Sequence, residues 1–126
     1  MAAVSRLVFE YALIRAAPRV ERGECVNVGV LLYCQAADFL AVLAHVDDAR
    51  LLALDPAADL LGIGQAVSAL QLTCDGVGPA SGSSLGQRFR WLTAPRSTVV
   101  HAGPVHSGFT VDPAGELVRL VDALVR

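Results

Sequence analysis

The chain has 126 residues, of which 54% are hydrophobic and 17% charged, with a formal net charge of −2. This length predicts a single domain over residues 1–126, and the acidic balance argues against nucleic-acid binding, which needs a positive surface. All ten basic residues are arginines, which excludes chemistry that depends on a lysine, such as Schiff-base formation or a P-loop.

The first third of the chain is typical of three antiparallel strands joined by short links. We predict them over residues 8–15, 25–34 and 39–46. Because side chains alternate along a strand, four apolar residues of the second strand should share one face. They are Val26, Val28, Val30 and Leu32.

The middle of the chain predicts helices. Asp47 or Asp48 can cap a short turn, and Asp55 before Pro56 has the pattern of an N-cap followed by proline. Four apolar residues then follow at helical spacing: Leu60, Ile63, Val67 and Leu70. The glycines at positions 62 and 64 predict close packing of this helix on the sheet.

The last part of the chain predicts one short helix, two strands and a final helix. Ser84 and Gln87 form the pattern of a capping box after a glycine- and serine-rich loop. Strands are expected over residues 96–101 and 105–110, before a helix that starts at Pro113. The order βββ-αα-ββ-α predicts an α+β fold, with an antiparallel sheet of about five strands and helices packed mainly on one face.

No membrane span or signal peptide is predicted. The uncharged stretch over residues 60–74 contains polar residues and falls short of the ~18 apolar residues that a span requires. The N-terminus lacks the basic and apolar regions of a signal peptide. We therefore expect a cytoplasmic protein. Its three cysteines have no zinc-binding spacing, which predicts buried free thiols and neither a metal nor another cofactor.

The segment over residues 88–98 is the first candidate site, because it holds three arginines, one tryptophan and three hydroxyl residues. Guanidinium groups bind phosphate or carboxylate oxygens in pairs, and hydroxyls can add hydrogen bonds. The predicted anion-binding set is Arg90, Arg96, Ser97, Thr98 and His106. Arg88 should point away from Arg90, because two residues turn a helix by about 200°. The alternative is that the arginines pair with acids and that Trp91 belongs to the core.

The charged turn before the second strand is the second candidate site. Its residues are Glu21, Arg22, Glu24 and Asn27. Asn27 shares a strand face with Gly29, where a ligand or another backbone could approach closely. The alternative is that Asn27 satisfies neighbouring backbone groups, because a buried amide needs hydrogen-bond partners.

A pair of histidines completes the candidates. If residues 103–104 form a two-residue turn, His101 and His106 should face each other across a hairpin, about 5 Å apart. No third ligand is evident, so a metal site is not predicted.

Two segments resemble the domain-of-unknown-function family numbered 3037. One is ERGECVNVGV (residues 21–30), preceded by YALIR (residues 11–15). The other is RFRWLTAPRST (residues 88–98), followed by PVHSG (residues 104–108). The resemblance implies a small bacterial protein without an agreed activity, often encoded beside a HipA-like kinase.

Two functions follow as hypotheses, and the sequence leaves open whether the protein is an enzyme. The first is a non-catalytic accessory or regulatory protein that binds another protein or forms a homo-oligomer, which predicts an exposed apolar patch. The second is an anion-binding enzyme or sensor, in which His106 could move a proton. Convergence of Arg90 and Arg96 on a cleft would favour the second; pairing with acids would favour the first.

Overall fold

A computed structural model of the chain describes residues 5–126. Five strands and four helices lie in that part of the chain. The strands are β1 (Leu7–Ala16), β2 (Val26–Cys34), β3 (Phe39–Ala44), β4 (Val100–Ala102) and β5 (His106–Thr110), and the helices are α1 (Asp48–Leu54), α2 (Leu60–Cys74), α3 (Leu85–Thr93) and α4 (Pro113–Leu124). The predicted α+β class is confirmed, with one helix more in the middle of the chain than expected.

The sheet is antiparallel throughout, in the order β3-β2-β1-β4, and β5 also pairs with β1. Strand β4 pairs with Ile14–Ala16 and β5 with Leu7–Tyr11, so the two strands lie end to end along one edge of β1. They do not form a hairpin, and the expected facing of His101 and His106 is therefore wrong.

Helices cover the two faces of the sheet unequally. Helices α1, α2 and α3 cover one face, where Leu51, Ile63 and Leu92 pack against strand residues of β1 and β2. Helix α4 alone covers the other face, through Leu117 and Val121. Each of these buried side chains contributes about 1.5–3 kcal/mol. The prediction of helices mainly on one face thus describes three of the four helices in residues 5–126.

A β-bulge divides the second strand between the two faces. The register between β1 and β2 shifts at Ile14 and Arg15, where Val28 has no partner of its own. Val28 therefore packs under α1–α3, whereas Val30 and Leu32 pack against α4. The expected common face of these residues is wrong, because an extra residue in one strand reverses the alternation beyond it.

Helix α2 begins later than predicted. Asp59 is its N-cap and accepts a hydrogen bond from the backbone nitrogen of Gly62 at 3.0 Å. Asp55 instead accepts from the nitrogen of Ala57 and closes the turn after α1. A side chain at position 62 would meet the Asp59 carboxylate, and one at Gly64 would meet open space. Neither glycine marks close packing on the sheet, contrary to expectation.

The local signals around the other helices are confirmed. Asp47 caps α1, and Ser84 and Gln87 form both hydrogen bonds of the capping box of α3. The fourth strand is shorter than predicted, because only residues 100–102 pair with β1. None of the helices described over residues 5–126 has both the length and the apolar character that crossing a membrane needs.

Candidate functional site

The arginine-rich segment occupies α3 and the loop that follows it. Two of its three arginines, Arg90 and Arg96, were candidates for one anion-binding site. In the structure, the guanidinium groups of the three arginines lie in different environments. These environments determine whether each group is free to bind a ligand.

The Arg88 guanidinium points inward and binds backbone carbonyls. Nη1 donates to the carbonyl of Cys74 at 2.9 Å, and Nη2 to that of Ser83 at 3.3 Å. Nε is buried without a hydrogen-bond partner. Gly76, at a φ of 77°, lies so close that a Cβ there would be 3.0 Å from Nη1. Arg88 therefore ties α3 to the end of α2 and has a structural role.

The Cys74 thiol lies beside this arginine and is buried. Burial raises the pKa of Cys74 from 9.0 to about 11, and Asp75 adds to the effect while Arg88 opposes it. The thiol is therefore protonated at neutral pH and is a poor nucleophile. Cys34 is also buried, but Cys25 is exposed, contrary to the expectation of buried thiols.

The Arg90 guanidinium is paired with a carboxylate. It donates to both oxygens of Glu10 on β1, at 2.9 and 2.8 Å. Hydrogen bonding to Glu10 raises the pKa of Arg90. This bidentate geometry uses the fork with which arginine would bind a ligand anion. Arg90 thus matches the alternative in which the arginines pair with acids.

The Arg96 guanidinium has one hydrogen bond, from Nη2 to the carbonyl of Trp91 at 2.6 Å. No carboxylate of residues 5–126 lies within ion-pairing distance of it. Arg96 lines an open groove of about 310 Å³ between α2, α3 and β4, which we call the Trp91 groove. Its lining residues are Ala66, Ala69, Leu70, Thr73, Trp91, Leu92, Arg96, Thr98 and Val100. Trp91 is 53% exposed and so is not a core residue.

The hydroxyl residues after α3 add little to an anion site. Thr98 lines the Trp91 groove, but its hydroxyl donates to the carbonyl of Val100 at 2.7 Å. That hydrogen is therefore not free for a ligand anion. Ser97 is exposed and does not line the groove.

The histidines lie apart from the groove. The ring of His106 contacts that of Tyr11, with centroids 5.3 Å apart. Tyr11 packs with the α4 cluster, so His106 lies on the face of the sheet opposite α1–α3. His101 interacts through Nδ1 with the carbonyl of Thr98. Within residues 5–126, no three side chains of metal-ligating type come together.

The charged turn is held by local ion pairs. Arg19 pairs with Glu21 at 2.9 Å, and Arg22 pairs with Glu24. Its depression, bounded also by Leu54 and Asp55, has a volume of only about 10 Å³, the size of one water molecule. The turn and the Trp91 groove line separate depressions.

Asn27 lies on β2 and contacts the end of α4. Its Nδ2 donates to the carbonyl of Leu124 at 3.1 Å. A C-terminal helix carbonyl has no partner within its own helix, so this bond satisfies it. The arrangement matches the structural alternative for Asn27.

A family model described as "Protein of unknown function (DUF3037)" matches residues 11–125. The chain belongs to this family. No curated protein and no solved structure matches the chain. The earlier resemblance is thereby confirmed, and membership of DUF3037 assigns no activity to any residue.

This DUF3037 protein has an exposed apolar surface whose location was not predicted, and we call it the Val8–Phe109 patch. Val8 and Phe109 are cross-strand partners on β1 and β5, and they are 56% and 64% exposed. Leu7 and Phe9 pack toward α4, so Val8 and its partner lie on the opposite face. A depression of about 260 Å³ beside Val8 is bordered by Glu10 and Tyr33.

The patch could not be recognised from the sequence because both faces of β1 are mostly apolar, with one charged residue on each. An apolar side chain there is buried only if a helix lies above it. Helix α2 packs near Ile14 and Ala16, at the other end of the strand. The only signal was the lack of charged residues in β5, which reads HSGFT.

Proposed function

We propose that this protein is a non-catalytic accessory or regulatory subunit that docks on another protein through the Val8–Phe109 patch. The observation that carries the proposal is the exposure of this apolar pair on a sheet face that α1–α3 otherwise cover. Burying one such side chain contributes about 1.5–3 kcal/mol. Contiguous exposed apolar residues on a folded protein are typical of interaction sites, and phenylalanine is enriched in interfaces.

The edge of β5 supports the same proposal. Among the strands of residues 5–126, β5 pairs with β1 alone, so its other edge keeps free backbone groups. Folded proteins usually protect such an edge with charged side chains, prolines or a covering element. The five residues of β5 include no arginine and no acidic residue. A partner that covers the patch would also protect this edge.

The state of the reactive groups supports a non-catalytic role. Cys74 is protonated at neutral pH, because burial raises its pKa to about 11. Arg90 is paired with Glu10, and His106 contacts Tyr11. The Thr98 hydroxyl, also suggested for anion binding, is donated to the carbonyl of Val100.

The family resemblance implies a HipA-like kinase encoded nearby as the partner to test first. The two proteins should co-purify when co-expressed, and Phe109→Thr should weaken the complex at least about tenfold through lost apolar contact. Threonine retains strand propensity, so the variant should stay folded. Leu61→Gln is the matched control, because Leu61 is 74% exposed on α2, away from the patch.

The complex can be measured by size-exclusion chromatography and a titration of labelled protein. If wild type elutes as a monomer and binds no kinase at micromolar concentrations, the docking proposal with this partner fails. If Phe109→Thr and Leu61→Gln weaken the complex equally, the patch is not the interface.

A second candidate function is the binding of a small anion in the Trp91 groove. The observation that favours it is Arg96, which lines the groove and has no carboxylate partner among residues 5–126. Arg90, Ser97 and His106 of the predicted set lie elsewhere, and Thr98 contributes only an acceptor. Anions should change the thermal stability of wild type but not of Arg96→Gln. If anions change the thermal stability of Arg96→Gln as much as that of wild type, this function is contradicted.

A further inference from the structure

We propose that the Trp91 groove binds a small amphiphilic carboxylate, whose head is held by Arg96 and whose apolar ring or short chain lies along the groove. This inference rests on the second candidate function and specifies its ligand class. It is carried by the charge of the groove, its donors, its shape and its size.

The charge of the groove favours a ligand with a single negative charge. Arg96 is its one charged lining residue, and no lining residue is acidic. Thr73 lies in the last turn of α2, and Trp91 and Leu92 lie near the end of α3. Helix C-termini carry partial negative charge, which disfavours a phosphate dianion more than a monoanion.

The donors of the groove match a carboxylate rather than a phosphate. Arg96 uses one N–H for the carbonyl of Trp91, and its remaining N–H groups can form the fork that fits two carboxylate oxygens. The Thr98 hydroxyl hydrogen is already donated to Val100. A carboxylate needs two donors, which Arg96 alone can supply, whereas a phosphate would also have to draw on the Thr73 hydroxyl and the Trp91 indole N–H.

The remaining surface is apolar and permits close approach. Ala66 and Ala69 present only methyl groups on α2, so a flat ring can lie against the helix. The half-exposed Trp91 offers an aromatic surface for stacking or edge contact. A volume of about 310 Å³ is near the lower end of ligand pockets, which fits a single ring or short chain.

Trp91 is the single tryptophan of the chain, so its fluorescence reports on this groove alone. We would titrate the protein with phenylacetate, phenylacetamide and inorganic phosphate. Phenylacetate should change the emission to saturation. Phenylacetamide has the same shape without the charge and should bind at least about tenfold more weakly, because it loses a charge-assisted hydrogen bond. Phosphate should also bind more weakly.

Two variants separate the head from the apolar body of the ligand. Arg96→Gln should weaken phenylacetate at least about tenfold. Arg119→Gln, on α4 across the sheet, is the matched control and should bind as wild type does. Ala69→Leu should block the apolar part of the groove and weaken phenylacetate while leaving Arg96 in place.

The outcomes distinguish the carboxylate proposal from the second candidate function. If phenylacetamide binds as tightly as phenylacetate, or if Arg96→Gln binds normally, the carboxylate proposal is overturned. If phosphate binds best and Arg96→Gln abolishes it, the ligand class is wrong and the second candidate function stands. If none of the three probes changes the emission or the thermal stability, both fail.

Discussion

Arg88 lies in α3 and Arg96 in the loop that follows it, and the two show how differently one side-chain type can be used. Arg88 donates to two backbone carbonyls, and its Nε is buried. Arg96 donates to one carbonyl, and its side chain remains exposed beside an apolar groove. An arginine-rich segment therefore does not indicate a ligand site by itself. What decides is whether the fold supplies enough oxygens to satisfy each guanidinium.

Removing the Arg88 guanidinium should have the largest effect on stability. Arg88→Met leaves the carbonyls of Cys74 and Ser83 without this donor. Loss of charge-assisted bonds to partly buried carbonyls should lower the free energy of unfolding by about 2–4 kcal/mol. Urea denaturation at 25 °C measures this. Arg6→Met removes an exposed arginine as control, and a similar loss in both variants would show that Arg88 has no special structural role.

Raising the pH should lower the free energy of unfolding through Cys74, whose carbonyl Arg88 binds. The folded thiol has its pKa raised to about 11, from 9.0 when free. An unfolded chain therefore loses this proton first, so the stabilisation is complete below pH 9 and is lost as the pH rises towards 11. The loss should reach about 3 kcal/mol at most. Urea unfolding between pH 8 and 11 measures how the free energy of unfolding falls with pH. Cys74→Ala should make this fall smaller, and an equal fall in both proteins would contradict the assignment.

Arg90 is intermediate between Arg88 and Arg96, because its partner is a side chain at the surface. Arg90→Gln removes the bidentate pair with Glu10, in which the arginine side chain is 60% exposed. We expect a loss of about 0.5 kcal/mol in low salt. Because salt screens exposed charges, the difference from wild type should shrink at 1 M NaCl. A difference that persists there would indicate that the pair is less accessible to solvent than the structure shows.

Arg96→Gln should have the smallest effect on stability, although it should weaken ligand binding. Its one bond is to the exposed end of α3, so unfolding should change by less than about 0.5 kcal/mol. The same variant should lose the response of Trp91 to phenylacetate. If Arg96→Gln destabilises the protein as much as Arg88→Met does, the contrast between a structural and an available arginine disappears.

Local patterns in the sequence predicted most of the fold. Capping residues such as Asp47 and Ser84 start helices through bonds within four residues, so their effect is readable without tertiary structure. The errors in strand faces and strand pairing came from longer-range causes. The bulge at Val28 depends on pairing with β1, and the end-to-end arrangement of β4 and β5 depends on which strand each one meets.

The candidate site was predictable only in part, for the same reason. The segment over residues 88–98 does contain a groove-lining arginine, but its sequence could not show that Glu10, eighty positions away, pairs with Arg90. Nor could it show that His106 lies on the other side of the sheet. The Val8–Phe109 patch was missed because exposure depends on where the helices end.

By itself, the sequence determined the α+β class, most of the elements, the caps of α1 and α3, and membership of DUF3037, because these depend on short-range spacing and on matching residues. Tertiary structure alone decided which arginine was left available and which apolar pair was left uncovered. Both depend on how far neighbouring elements reach across the sheet. Satisfaction of a charge and burial of a side chain are properties of that surrounding structure rather than of the residue.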